Sequence, residues 1–190
     1  MQISNIIQDS YQEYEDYQSV VLFTCGCNLA CPWCHNRSRV NDCLDDIDIY
    51  QCISPMTEAV VFLGGEPLLH DLVPVVLDLK KRFPWLLFKV FTNGIEYKEL
   101  ELLLPYIDAV SIDVKCVRDA WRVLGVDISD KYYLSCLDRS ISACYNGGVD
   151  VEVRTTVSEY NDNQTDEIGR WVVKNYPTIN HIWQKDSGKR

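Results

Sequence analysis

Short apolar runs rich in β-branched residues alternate with helical patterns along most of the chain. The runs Val20–Thr24, Ala59–Leu63, Leu86–Thr92, Ala109–Val114, Val149–Val157 and Ile179–Trp183 predict six strands. Between the second and third, Leu68, Leu72, Val76, Leu79 and Phe83 recur at three and four residues. That spacing gives a helix one apolar stripe, and Pro84 stops it. Glu96–Leu104 predicts a shorter helix, and Tyr132–Tyr145 a longer one closed by Gly147-Gly148. Ile168, Trp171 and Val172 repeat the pattern before Pro177.

Strand and helix alternating in this way predict parallel strands with right-handed crossovers. Runs such as AVVFL and LLFKVF suit strands buried on both faces. Eight such units close a full barrel in about 250 residues. Six units in 190 residues predict an α/β fold of a more open kind, a partial (β/α)6 TIM-like barrel with a gap on one side. No linker or internal repeat divides the chain, so residues 1–190 read as a single domain.

Composition narrows the class. Hydrophobic residues make up 47% of the chain, enough for a real core. No apolar run approaches the roughly 18 residues of a membrane span, and MQISNIIQDS is not a secretory signal. With 18 Lys+Arg against 28 Asp+Glu, the net charge of −10 argues against a nucleic-acid partner. The basic clusters, Lys80-Lys81-Arg82 and Lys189-Arg190, read as solvated charge. Nine cysteines form an odd count without a secretion signal, so a disulfide framework is not expected. A reducing, cytoplasmic setting with metal-binding thiolates is.

In such sheets the chemistry collects at the carboxyl ends of the strands. The first predicted strand runs into TCGCNLACPWCHN, the second into GGEP, the third into TNG and the fourth into DVK, while the fifth carries Arg154 within VEVRTTV. Cys27, Cys31 and Cys34 can hold three irons of a cubane cluster and leave the fourth iron open to another ligand. A structural zinc site is the alternative, although such sites normally use four ligands in two short knuckles. Cys25 could supply a fourth thiolate, but its one-residue gap from Cys27 is poor geometry.

Cysteine, three residues, cysteine, one residue, an aromatic and cysteine, here Cys27, Cys31, Trp33 and Cys34, resembles the motif of the radical S-adenosylmethionine (SAM) superfamily. GGEP at Gly64–Pro67 and the partial barrel continue the match. The resemblance implies a 4Fe–4S cluster on the three cysteines, with SAM chelated at its open iron. It also implies reductive cleavage of SAM to a 5′-deoxyadenosyl radical that abstracts hydrogen from the substrate. Cofactor contacts are implied for Trp33 near the adenine, for Gly64, Gly65, Glu66 and Pro67 around the methionine moiety, and for Asn93 of TNG. Arg154 would meet the SAM carboxylate, and Asp113 with Lys115 would lie near that carboxylate or a cation. No catalytic side chain is expected beyond the cluster and SAM.

His35-Asn36 after the third cysteine, with SIDVK and VEVRTTV, is most similar to the glycyl-radical-enzyme activating proteins, those of anaerobic class III ribonucleotide reductase above all. The implied partners are such a reductase, whose glycine loses the hydrogen, and a flavodoxin- or ferredoxin-type electron donor. Cys43 and Cys52 lack the CxxCxxC spacing of a second cluster. Where some activators carry an acid before TNG, this chain has Phe91, which disfavours a two-carboxylate cation site. The alternatives are a 7-carboxy-7-deazaguanine synthase, where Asp-Thr typically follows the third cysteine, and a non-enzymatic iron–sulfur or zinc module. His70, Cys136 and Cys144 read as structural residues, and Cys116 is assigned no role although it follows DVK. His181 reads as structural, while the resemblance leaves it a weak candidate for contact with the adenine.

Overall fold

The structure, a computed structural model, describes residues 1–38, 40–45 and 47–186; Lys189-Arg190 lies outside them. In chain order the strands are β1 (Ile3–Ser10), β2 (Ser19–Thr24), β3 (Ala59–Gly64), β4 (Leu87–Thr92), β5 (Ala109–Asp113), β6 (Asp150–Val157) and β7 (Asn180–Lys185). The helices are α1 (Val73–Arg82), α2 (Tyr97–Leu103), α3 (Ala120–Leu124), α4 (Asp130–Gly147) and α5 (Thr165–Asn175). The strands form one sheet in sequential order, and β2 to β7 are parallel throughout. β1 and β7 are the two free edges, so the barrel is unclosed.

The six predicted strands are β2 to β7, and β1 is an addition. It pairs antiparallel with β2, with register shifts between Ile3 and Asn5 and between Ile7 and Ser10. Only Ile3 of β1 is fully buried. Its sequence, ISNIIQDS, therefore lacks the apolar run that marks a buried strand. The first predicted helix also starts later than its apolar stripe. Leu68 sits in a 3-10 turn at Pro67–Leu69, and Pro74 opens α1. Leu68, Leu72, Val76 and Leu79 still bury the same stripe.

Side chains alternate across the sheet. On one face Val20, Leu22, Val60, Phe62, Phe88, Val90, Val110 and Ile112 join Leu79, Leu100, Leu103, Leu137 and Ile141 of the helices in a single core. On the other face, inside the barrel, β4, β5 and β6 carry Lys89 and Phe91, Ser111 and Asp113, and Glu152 and Arg154. The polar residues thus turn toward the interior of the open barrel.

Candidate active site

A cleft of about 280 Å³ opens at the carboxyl ends of the strands. The loop after β2 contributes Cys27, Cys31, Trp33 and Cys34; β3 leads into Gly64, Gly65 and Glu66; Asn93, Asp113, Lys115 and Arg154 come from the later strands. One wall set thus unites every site residue expected from the sequence except Pro67. That proline is buried at the start of the 3-10 turn behind the wall.

The cysteine loop is fixed from several sides. The Ala30 amide donates to the Leu124 carbonyl at 2.9 Å, and Arg37 Nη1 donates to the Ala30 carbonyl at 3.1 Å. Trp33 is buried and stacks on Tyr160, with ring centroids 5.5 Å apart. Cys27 and Cys34 are exposed and Cys31 is buried. Although part of Cys27 meets solvent, lost hydration within the loop pushes its thiol up to about 11, and burial raises that of Cys31 as well. Both are therefore neutral until a metal displaces their protons.

A disulfide framework is not expected from the sequence, and among the described residues there is one disulfide: Cys25 is bonded to Cys43, with Cα atoms 5.9 Å apart. The returning chain runs beside the end of β2, where the Gly26 amide donates to the Val40 carbonyl at 2.7 Å and the Leu44 amide donates to the Ile3 carbonyl at 2.8 Å. That proximity joins the two sulfurs and removes Cys25 from the candidate ligands.

The two glycines of GGEP serve close packing. A Cβ on Gly65 would stand 1.8 Å from the Gly26 carbonyl oxygen, and Gly64 has φ +114° with the Thr24 amide nitrogen 2.7 Å from any added Cβ. The Glu66 amide then donates to that Gly26 carbonyl at 2.8 Å. The GGEP turn and the cysteine loop are thereby held backbone to backbone.

Glu66 is buried, and its carboxylate is engaged by protein donors. Oε1 accepts from Thr92 Oγ1 at 2.8 Å and the Leu68 amide at 3.1 Å; Oε2 accepts from the Asn93 amide at 2.8 Å. Burial outweighs these bonds and raises its pKa to about 7. Glu66 is thus a clamp between the ends of β3 and β4. Asn93 in turn donates to Asn28 Oδ1 at 2.7 Å, and Asn28 donates to Glu96 at 2.9 Å.

Lys115 pairs with Asp113 at 2.6 Å. Burial pulls the ammonium down, but Asp113 beside it holds it above its ordinary value. The backbone of this segment is pinned from outside. The Lys115 amide donates to the Tyr133 hydroxyl at 3.0 Å, and Asn161 donates to the Lys115 carbonyl at 2.8 Å. His35 and Asn36 are structural ties as well. Asn36 donates to the Gly64 carbonyl at 3.2 Å, and His35 Nε2 meets Asp186 Oδ1 at 2.9 Å. His70 bonds the Cys25 carbonyl and His181 bonds Thr155, while Cys116, Cys136 and Cys144 are buried.

Sequence reasoning missed Asn28, Thr92, Lys89 and Glu152. Asn28 had a signal, since it is the polar residue inside GCNLAC. Lys89 and Glu152 had only their alternation with apolar neighbours in strands read as apolar.

Among the described residues, no three His, Cys, Asp or Glu side chains stand close enough to hold a metal ion as they are. The donor set nevertheless fits an iron–sulfur cluster: three soft thiols share one loop and one cleft, beside a glycine cradle and a guanidinium. An unclosed parallel barrel with such a loop after its first parallel strand defines a partial-barrel cofactor enzyme. The chain belongs to the radical SAM superfamily, which it matches over residues 21–172. The cofactors of that family are a 4Fe–4S cluster and SAM.

Among curated relatives, the chain is 32% identical over 176 residues to a provisionally assigned glycyl-radical enzyme activating enzyme of Methanocaldococcus jannaschii, covering 81% of this chain and 67% of that one. It is 34% identical over 67 residues to the 7-carboxy-7-deazaguanine synthase of Synechocystis, covering 30% of each chain. Its fold is shared with AdoMet-bound anSMEcpe in complex with the Cp18Cys peptide, at TM-score 0.65 and 15% identity, over 86% of this chain. The chain spans about half of that structure, 48%. Among the described residues, no helix is long and apolar enough to cross a membrane.

Proposed function

We propose that the chain is a cytoplasmic activating enzyme of a glycyl radical enzyme, with an anaerobic ribonucleotide reductase as its protein substrate. The observation that carries this reading is the likeness to the Methanocaldococcus jannaschii protein across 81% of the chain. The unclosed barrel supports it, because a cleft whose lining reaches the free edge strand β7 admits a loop of a large partner.

Cys27, Cys31 and Cys34 would hold the 4Fe–4S cluster, each giving up a proton to do so. With an electron from a flavodoxin- or ferredoxin-type donor, the bound cluster and SAM supply one-electron cleavage and hydrogen-atom abstraction. The chain's own residues bind and orient. Gly64 and Gly65 bring backbone close to the methionine moiety, Arg154 meets its carboxylate, and Asp113 holds Lys115 charged at the same wall. Trp33 and Asn93 shape the adenosine side. Glu66 and Pro67 fix the turn that presents these groups, rather than offering a free carboxylate.

The test is electron paramagnetic resonance on reconstituted, reduced protein with SAM and an anaerobic ribonucleotide reductase. A glycyl-radical doublet on the reductase is expected. Its absence, with 5′-deoxyadenosine still released, would retire the reductase as the substrate. The carboxy-tetrahydropterin substrate of the synthase reading would then be tried.

A further inference from the structure

Below the cleft, the interior of the barrel carries further polar side chains. Phe91, Asp113 and Arg154 line the cleft. Two residues earlier on the same strands and the same face lie Lys89, Ser111 and Glu152. Strand register places Phe91 against Ser111, Ser111 against Glu152 and Asp113 against Arg154. The lower group is closed beneath by Tyr14, whose ring lies 5.2 Å from Lys89 Nζ.

A single oxygen organises this group. Glu152 Oε1 accepts from Lys89 Nζ at 3.1 Å, from Ser111 Oγ, and from Arg154 Nη1 at 3.3 Å. The Arg154 guanidinium also lies over Phe91, 5.0 Å from the ring centroid, and Lys89 lies on the same ring at 5.0 Å. Arg154 is therefore gripped from below by a carboxylate and from the side by a ring. Its side chain is only 13% exposed, yet it reaches the cleft wall. A guanidinium has five N–H donors, and among the described residues its hydrogen bond goes to Glu152 through Nη1 alone, so the fork can still engage a carboxylate. Lys89 and Ser111 keep Glu152 anionic in this enclosed group, and its pKa is lowered despite burial. An arginine held by fixed partners binds a carboxylate without first ordering a long side chain.

We propose that Glu152 is a positioning residue that sets Arg154 for the carboxylate of SAM. This rests on the reading of Arg154 given above. SAM affinity is measured by anaerobic calorimetry without reductant, so that no turnover occurs, on reconstituted protein with iron content and melting temperature recorded. Glu152→Gln should keep the iron and weaken SAM about tenfold, about 1.4 kcal/mol. Glu152→Asp should restore part of that affinity. In an Arg154→Ala background, Glu152→Gln should cause no further loss, because Glu152 acts through the arginine.

An equal loss in both backgrounds would overturn the proposal. So would a lower melting temperature with unchanged affinity, which marks a merely structural residue. If Arg154→Ala itself leaves SAM affinity unchanged, the underlying assignment of Arg154 fails instead, and the two failures are thereby separated. Should Glu152→Gln not fold, Ser111→Ala removes one of the three donors and should weaken SAM about threefold. Unchanged affinity in that variant would overturn the proposal too.

Discussion

Asn93 donates its side-chain amide to Asn28 Oδ1 at 2.7 Å, joining the turn after β4 to the loop between Cys27 and Cys31. Sixty-five residues of chain separate the two, so this bond is tertiary and carries the position of the cysteine loop. Removing one partner costs about 1 kcal/mol, more where the other is left buried. Asn28→Ala should lower the melting temperature of the iron-free chain by a few degrees and speed iron loss on chelator challenge. Unchanged chelation kinetics would mean that the loop is held by its backbone contacts alone.

Each of Cys27→Ala, Cys31→Ala and Cys34→Ala should lose the cluster absorbance after reconstitution and all SAM cleavage. Cys25→Ala and Cys43→Ala should keep both, since their sulfurs are joined to each other. Full iron content in any of the first three would remove that cysteine from the ligand set. Because partial desolvation raises the Cys27 thiol to about 11, iron uptake should also strengthen as pH rises from 6 to about 8.

Glu66 gives the iron-free protein a pH dependence of definite sign. Its pKa rises from 4.5 to about 7 on folding, so the folded state favours the protonated form. The contribution of Glu66 to stability is complete below about 4.5, falls as pH rises toward about 7, and is flat above it. Urea midpoints between pH 5 and 8 should show this decline in the wild type and less of it in Glu66→Gln. A decline of equal size in both would assign it to other groups.

Gly65→Ala should be among the most damaging single changes outside the cysteines. The added methyl would meet the Gly26 carbonyl oxygen at 1.8 Å, and backbone cannot yield as a flexible side chain does. A loss of several kcal/mol in chemical denaturation is expected, with poor cluster loading. Wild-type stability would show that the cysteine loop can move away freely.

Much of this site was legible in the sequence because parallel strands announce themselves as apolar runs and their polar termini stand out against them. Cys27, Gly64, Asn93 and Asp113 each follow or end such a run, Arg154 stands out as a charge within one, and the fold gathers them. The roles of Glu66 and the glycines were less legible, since the groups that use them, Thr92, Asn93 and Gly26, are neighbours only in the folded chain. β1 escaped because an edge strand with one buried residue carries no apolar run. The Cys25–Cys43 bond escaped because an odd cysteine count argues against a disulfide framework but says nothing about one local approach. Glu152 escaped because an acid inside a strand reads as solvent-facing unless the other wall of the barrel is known.

The central claim is that hydrogen passes from a partner's glycine to the adenosyl carbon inside this cleft. The direct measurement is mass spectrometry of 5′-deoxyadenosine formed anaerobically with an anaerobic ribonucleotide reductase whose glycines carry deuterium. One deuterium in the released 5′-deoxyadenosine, alongside the glycyl-radical doublet, is the predicted result. Abundant 5′-deoxyadenosine without deuterium would contradict it.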